Sequence, residues 1–315
     1  MEDTHDKWTD KERQLVIKHA GNKLAREIAE ILASKGFPQR TTKAVQGIIR
    51  RHKDKRNKPP KLPYGSSIAT QISKAKIMYF DIEATDLSAE FGEMICFGYW
   101  WHDEPEPVVM RMWDYSGWDE LPVEKRDLYL LKDVVKIMEE ADVLIGHFSP
   151  GFDFPFIQTR CLMHGLPVIP KPVHIDTWRI AKKNLRLNNN KLKTIARAFR
   201  CDEQKSEVPL YIWRRAKAHD VEAMEIIAEY NVQDVRTQRD ITEKLMPLAA
   251  SMPNWNLLID DDILHCPACG GTNLEYRGYS YTKLYKYKRL RCKDCGKWMR
   301  DRNSVTPKDT PRIMH

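Results

Sequence analysis

Three apolar, strand-like runs follow one another at residues 76–82, 94–101 and 107–113 with short breaks between them. Breaks of that length fit hairpins, whereas parallel crossovers need a dozen or more residues. The runs therefore predict an antiparallel meander. A helix-periodic stretch at 128–141 leads to VLIGH at 143–147, and helical periodicity resumes at 154–164. A short strand at 173–176 precedes helices near 177–184, 190–199 and 220–245. Strands alternating with helices add parallel strands to a sheet. The predicted fold class is α/β: a mixed sheet of three antiparallel strands followed by parallel ones, covered by helices on both faces.

Carboxylates sit at telling places in this pattern. Asp81 and Glu83 lie in IMYFDIEATDL, two residues apart and so on one face of a strand. Asp153 follows VLIGH in the stretch GHFSPGFDFPFI, and Tyr230 and Asp234 share a helix face in EYNVQDV. Three separated segments that deliver acids to one point build a site for two hard divalent cations, Mg²⁺ or Mn²⁺. Asp81 is placed to bridge both ions, with Glu83 and Asp234 completing one shell and Asp153 holding the second ion directly or through water. Tyr230 is placed to orient an attacking water. An ordinary tyrosine pKa near 10 makes it a weak base at neutral pH. Asp176 in VHIDTWRIAK either caps the helix that follows or shapes the metal shell, and capping is the commoner use of such an Asp.

Charge is unevenly distributed. Residues 1–64 carry 16 Lys/Arg against 8 Asp/Glu, and residues 265–315 carry 12 against 4, within an overall net charge of +8. The basic ends suit a polyanion. The acidic centre would repel one unless cations neutralise it. No apolar run reaches a membrane-spanning length and the N-terminus MEDTHDKWTD lacks a secretory pattern, so a cytoplasmic protein without a membrane partner is expected.

Six segments are expected. Residues 1–54 form a tri-helical unit. Thr9-x-x-Glu12 opens its first helix as a capping box, Leu24, Ile28, Ile31 and Leu32 line the second, and Gly36 and Pro38 end it. Thr41 or Thr42 caps the third, with Val45, Ile48 and Ile49 inward and Lys43, Arg50 and Arg51 outward. The unit resembles a Myb-like or homeodomain-like helix-turn-helix, which implies DNA contact through Lys43, Arg50 and Arg51. A helical docking or oligomerisation module is the alternative. A basic Pro-rich linker covers 55–74, the mixed-sheet domain 75–246, a second linker 247–263, a cysteine-rich unit 264–303 and a disordered tail 304–315.

Cys266, Cys269, Cys292 and Cys295 form two Cys-x-x-Cys pairs, each followed by glycine. Such spacing predicts a structural Zn²⁺ on four thiolates. It resembles the zinc ribbons of transposase-associated and other DNA-handling proteins. Between the pairs, tyrosines alternate with lysines and arginines. On a hairpin this alternation is expected to segregate rings on one face and cations on the other. Tyr281, Tyr285 and Tyr287 would then stack bases, or the rings serve to cover a small ribbon or dock a protein.

FDIEATD, GHFSPGFDFPFI and EYNVQDV together resemble the three motifs of the DEDD superfamily of RNase H-like, DnaQ-like 3′–5′ exonucleases. Tyr230 marks the tyrosine subtype, and the closest flavour is the proofreading domain of family B DNA polymerases. The resemblance covers about 170 residues. It implies a two-metal phosphodiester hydrolase acting on nucleic acid 3′ ends, DNA favoured over RNA. An exoribonuclease, or a phage or mobile-element regulator using the fold as scaffold, are the alternatives. The resemblance implies catalytic roles for Asp81, Glu83, Asp153, Tyr230 and Asp234. Phe148, Ser149 and Phe152 are expected at the substrate. Phe148 stands where polymerase relatives often have Asn, and Ser149 is a substitute for that grip.

Overall fold

Strand β1 (Ile77–Ala84) is the element around which the larger part of the chain is arranged. In the computed structural model, the described residues are 8–19, 25–55, 75–170, 172–201, 207–249, 255, 263–307 and 309–310. The chain divides into two units, Met1–Lys61 and Leu62–His315.

In the first unit, helices α1 (Asp10–His19), α2 (Ala25–Ser34) and α3 (Thr42–Lys55) bury Val16, Ile28, Leu32, Val45 and Ile48 among them. The capping box forms: Thr9 Oγ1 accepts from Glu12 N at 3.2 Å, and Glu12 Oε2 accepts from Thr9 N at 2.6 Å. Glu12 is fully buried and paired with Arg40 at 2.8 Å, which ties α1 to the turn before α3. Hydrogen bonds from Gly36 N to Ala33 O and from Phe37 N to Leu32 O close α2. Thr41 caps α3, its hydroxyl accepting from Ala44 N at 3.2 Å. Lys43 is exposed on α3. Arg50 and Arg51 also fall on α3, but their side chains lie outside the described residues, as do the side chain of Ile49 and all of Leu24.

In the second unit, β1, β2 (Met94–Trp101), β3 (Val108–Arg111), β4 (Val143–Gly146) and β5 (Val173–Asp176) form one sheet in the order β3-β2-β1-β4-β5. β1–β2 and β2–β3 pair antiparallel, and β1–β4 and β4–β5 pair parallel. The α/β mixed sheet expected from the runs is the one formed. Its third strand is shorter than the apolar run, because Met112–Asp114 turns into a 3₁₀ helix tied by Arg111 to Asp114.

Alternation along β1 splits the core. Met78, Phe80 and Ile82 join the main cluster with β2, α4 (Leu128–Glu139) and α5 (Asp153–Met163). Ile77 and Tyr79 face a second cluster with Val143, Ile145, Ile175 and Val235. Helices α6 (Thr177–Asn184), α7 (Leu192–Ala198), α8 (Leu210–Lys217) and the 25-residue α9 (Val221–Leu245) complete the cover. Helix α8 was not expected from periodicity. Trp255, inside the stretch read as a linker, is fully buried in the second cluster, because its ring fills the space behind β1 and β4 while its Nε1 reaches Ala268 O at 3.4 Å. No helix among the described residues is long and apolar enough to cross a membrane.

The cysteine-rich end forms a second sheet, β6 (Leu274–Tyr281), β7 (Lys286–Cys292) and β8 (Trp298–Ser304), antiparallel throughout. Rings and cations do not segregate. Lys286 lies 3.8 Å from the Tyr279 ring and Lys288 5.0 Å from Tyr276 on one face. Arg300 lies 4.1 Å from Tyr287 on the other. A bulge between Tyr276 and Tyr279 shifts the pairing and puts tyrosines three residues apart on the same side. Much of the Pro-rich linker (56–74), most of the second linker and residues 311–315 of the tail lie outside the described residues.

Candidate active site

Strands β1, β4 and β5 are parallel, so their carboxyl ends open at one edge of the sheet, where open α/β sheets form clefts. Asp81 and Glu83 occupy the end of β1, continuing the face that begins with Ile77 and Tyr79. Helix α9 crosses that face and brings Asp234 to it. Ligand oxygens of Asp81, Glu83 and Asp234 lie within 4.8 Å of one another. Three carboxylates this close repel each other strongly unless a cation sits among them. All are oxygen donors, which suits a hard divalent ion.

Asp153 lies outside that trio but is fixed beside it. It opens α5, and its Oδ1 accepts from Ile82 N, the residue between Asp81 and Glu83, at 3.1 Å. It is 4% exposed. Burial pushes its carboxyl up to about 7, with the charges of Asp176 and Asp234 adding to the effect. A positive ion nearby reverses that penalty.

Tyr230 stands one turn before Asp234 on α9, its ring edge-on to Trp213 of α8 at 6.5 Å and 87°. Asp176 is the N-cap of α6: its Oδ1 accepts from Trp178 N at 2.9 Å and Arg179 N at 3.3 Å, and also from Phe148 N at 2.9 Å. Phe148 is 43% exposed and has φ 66, a left-handed conformation that costs a bulky residue about 1 kcal/mol. Asn tolerates that conformation far better, so an Asn-type backbone is kept here with an aromatic side chain. The Phe148 ring packs against Trp178 at 5.0 Å. Ser149 is not brought to the site. It is fully buried, with its hydroxyl 2.7 Å from His174 Nε2. Phe152 is partly buried against Phe156 at 5.7 Å and the main core.

A model of the RNase H superfamily matches residues 78–246, more than half of the chain. The chain belongs to the RNase H superfamily. A DNA polymerase of Methanocaldococcus jannaschii is 22% identical over 208 residues, which are 58% of this chain and 12% of the polymerase. The chain thus spans a small part of that relative's length. A family B DNA polymerase from the hyperthermophilic archaeon Pyrobaculum calidifontis matches 68% of this chain and 32% of its own, with 18% identity and a TM-score of 0.43.

At the superfamily level the fold is that of a nuclease, and the acidic trio sits inside the matched segment. Sequence reasoning missed Asn231. It is fully buried on α9 and donates Nδ2 to Asp81 Oδ2 at 2.9 Å. Opposite Asp81 on β2 stands Gly98, where a Cβ would come within 2.0 Å of Asn231 Oδ1. Glycine in a strand interior is costly, and here the close approach of Asn231 accounts for it. The signal was present in the sequence: an Asn inside a long helix and a Gly inside an apolar strand both break local preference.

Near the other end, the four cysteines are buried together, with Sγ–Sγ distances of 3.7 Å for Cys266–Cys295 and for Cys269–Cys292. Zn–S bonds of about 2.3 Å in a tetrahedron put sulfurs about 3.8 Å apart, so the donor set fits Zn²⁺. Gly270 and Gly296 have φ 72 and 79, a left-handed turn behind each pair that lets both thiols face one point. Ala268 N and Gly271 N donate to Cys266 and Cys269 sulfurs at 3.4 Å.

Proposed function

We propose that this chain is a metal-dependent 3′–5′ exonuclease that hydrolyses phosphodiester bonds of DNA, with single-stranded 3′ ends as substrate. The observation that carries the reading is the convergence of Asp81, Glu83 and Asp234 within 4.8 Å, inside the segment that matches the RNase H superfamily. Asp81, Glu83 and Asp234 would hold one Mg²⁺ or Mn²⁺. Asp153, whose Oδ1 accepts from Ile82 N next to Asp81, would hold the second with Asp81. When bound, such ions neutralise charge at the attacking and leaving oxygens and acidify the attacking water. Tyr230 orients that water through its hydroxyl, and Trp213 fixes the ring that carries it. Asn231 fixes the Asp81 carboxylate, and the exposed Phe148 ring meets the substrate end. Phe152, packed against Phe156 and the core, is the second ring proposed at that end.

Preference for DNA is supported by the DNA polymerase of M. jannaschii among the relatives. We assign Zn²⁺ as the structural ion of the four cysteines, Tyr285 and Tyr287, whose rings neighbour each other at 6.3 Å, rather than Tyr281 on the lysine side, as stacking residues of that ribbon, and the α1–α3 unit, with Lys43, Arg50 and Arg51, as a helix-turn-helix for duplex DNA. End-labelled single strands of DNA and RNA test the reading. Stepwise loss from the 3′ end with Mg²⁺ or Mn²⁺, faster on DNA, blocked by chelator and by a 3′-blocked terminus, is expected. Internal cuts, or no metal-dependent loss on any strand, would contradict it.

A further inference from the structure

β7 is the central strand of the β6-β7-β8 sheet, and its alternation gives that sheet two unlike faces. Lys286, Lys288, Leu290 and Cys292 point one way, across from Tyr281, Tyr279, Tyr276 and Leu274. The cysteine cluster, with Leu274 and Met299 packed on it, closes much of this side. Tyr287, Arg289 and Arg291 point the other way, across from Ser304, Arg300 and Trp298. Residues of this second side take no part in the cysteine core.

The second face is built from arginines held by rings. Arg289 and Arg291 lie 5.0 Å and 5.7 Å from the Trp298 ring, and Arg300 lies 4.1 Å from Tyr287. Arg289 Nε donates to Arg277 O at 2.9 Å, which orients its guanidinium. Arg277 pairs with Glu275 at 3.0 Å, so that acid is already engaged. Arg289 and Arg300 stand directly opposite each other, and among the described residues neither forms an ion pair. Like charges placed directly across a sheet are destabilising. Both are exposed, and Trp298 is 49% exposed.

We infer that this arginine face binds the sugar–phosphate backbone of a single nucleic acid strand. A phosphate between Arg289 and Arg300 relieves their repulsion, and guanidinium forks match phosphate oxygens in bidentate fashion. Arg289 and Arg291 are two residues apart along β7, about 7 Å, close to the spacing of consecutive phosphates in a strand. Cation–π contact with Trp298 and Tyr287 preorganises the guanidiniums. The inference deepens the nuclease reading, which supplies the polyanion, and assigns the strand to the arginine face of the ribbon instead of the lysine–tyrosine face.

Fluorescence anisotropy of the full chain with labelled oligo-dT and oligo-U, without added divalent ion, tests this. Arg289→Gln/Arg300→Gln should weaken binding on the order of tenfold at moderate salt and make log K against log salt shallower by about 1.4. Arg289→Gln/Arg300→Lys, which returns one of the two charges, should restore part of the salt slope. Lys286→Gln/Lys288→Gln should cost much less. Zinc content and far-UV circular dichroism verify that each variant is folded. The inference is overturned if the arginine pair leaves affinity and slope unchanged, or if the lysine pair carries the loss. Loss on one oligonucleotide alone keeps it and names the strand. Hydrolysis by wild type with Mg²⁺ is scored separately. Binding loss without any hydrolysis keeps the face and removes the nuclease reading; hydrolysis with no binding loss does the reverse.

Discussion

Asn231 of α9 donates its side-chain amide to Asp81 of β1 at 2.9 Å, while its Oδ1 fills the space above Gly98 on β2. One buried amide thus links the late helix to the two central strands and sets the angle at which the Asp81 carboxylate faces Glu83 and Asp234. Outer partners of a metal-binding carboxylate tune its orientation and affinity.

Asn231→Ala should raise the metal concentration for half-maximal activity about ten- to hundredfold, with most of the rate regained at saturating Mn²⁺. Gly98→Ala should do the same with Asn231 intact, since the added Cβ displaces it. A variant that melts earlier but keeps the same metal-activation curve would show a packing role alone.

Tyr230→Phe should lower the rate about hundredfold while Mn²⁺ affinity is unchanged. Trp213→Ala, which frees the ring without removing the hydroxyl, should fall between the two. Equal rates for Tyr230→Phe and wild type would show that the hydroxyl is not used.

The buried Asp153 gives a pH signature. Its carboxyl is raised from 3.8 to about 7 in the folded, metal-free protein. A raised acid favours the folded state while protonated, so its contribution is full below about 4 and is lost as pH rises toward 7. Metal binding must displace that proton. The melting-temperature gain from Mg²⁺ should therefore be larger at pH 8 than at pH 6, and Asp153→Asn should flatten the difference. Differential scanning fluorimetry across that range checks it; an equal gain at both pH values contradicts it.

Cys292→Ser should lose the metal and the β6-β7-β8 sheet together, because folding of such a small unit is coupled to its ion. Atomic absorption should fall from one zinc per chain to near zero, and unchanged zinc content would refute the four-thiolate site.

The sheet could be read from the sequence because β1, β2 and β4 are apolar runs of strand length and the spacing between them dictates hairpin or crossover. Asp81, Glu83 and Asp234 were readable because their local periodicity puts them on shared faces. Asn231 and Gly98 each break a local preference, but what they do lies in a contact between distant segments, which local pattern does not reveal. Helix α8 escaped because its N-cap is Pro209 without a side-chain cap bond and it buries only Ile212 and Ala216. The faces of the ribbon were misread because β7 runs Lys286–Tyr287–Lys288–Arg289 and so puts cations on both faces, while the bulge after Tyr276 gathers Tyr276, Tyr279 and Tyr281 on the lysine side.

Manganese anomalous scattering from a crystal soaked at neutral pH tests the central claim most directly. The account predicts strong peaks between Asp81, Glu83 and Asp234, with Asp153 turned toward the second ion. Carboxylates that stay metal-free at millimolar manganese, with the ion bound elsewhere, would contradict it.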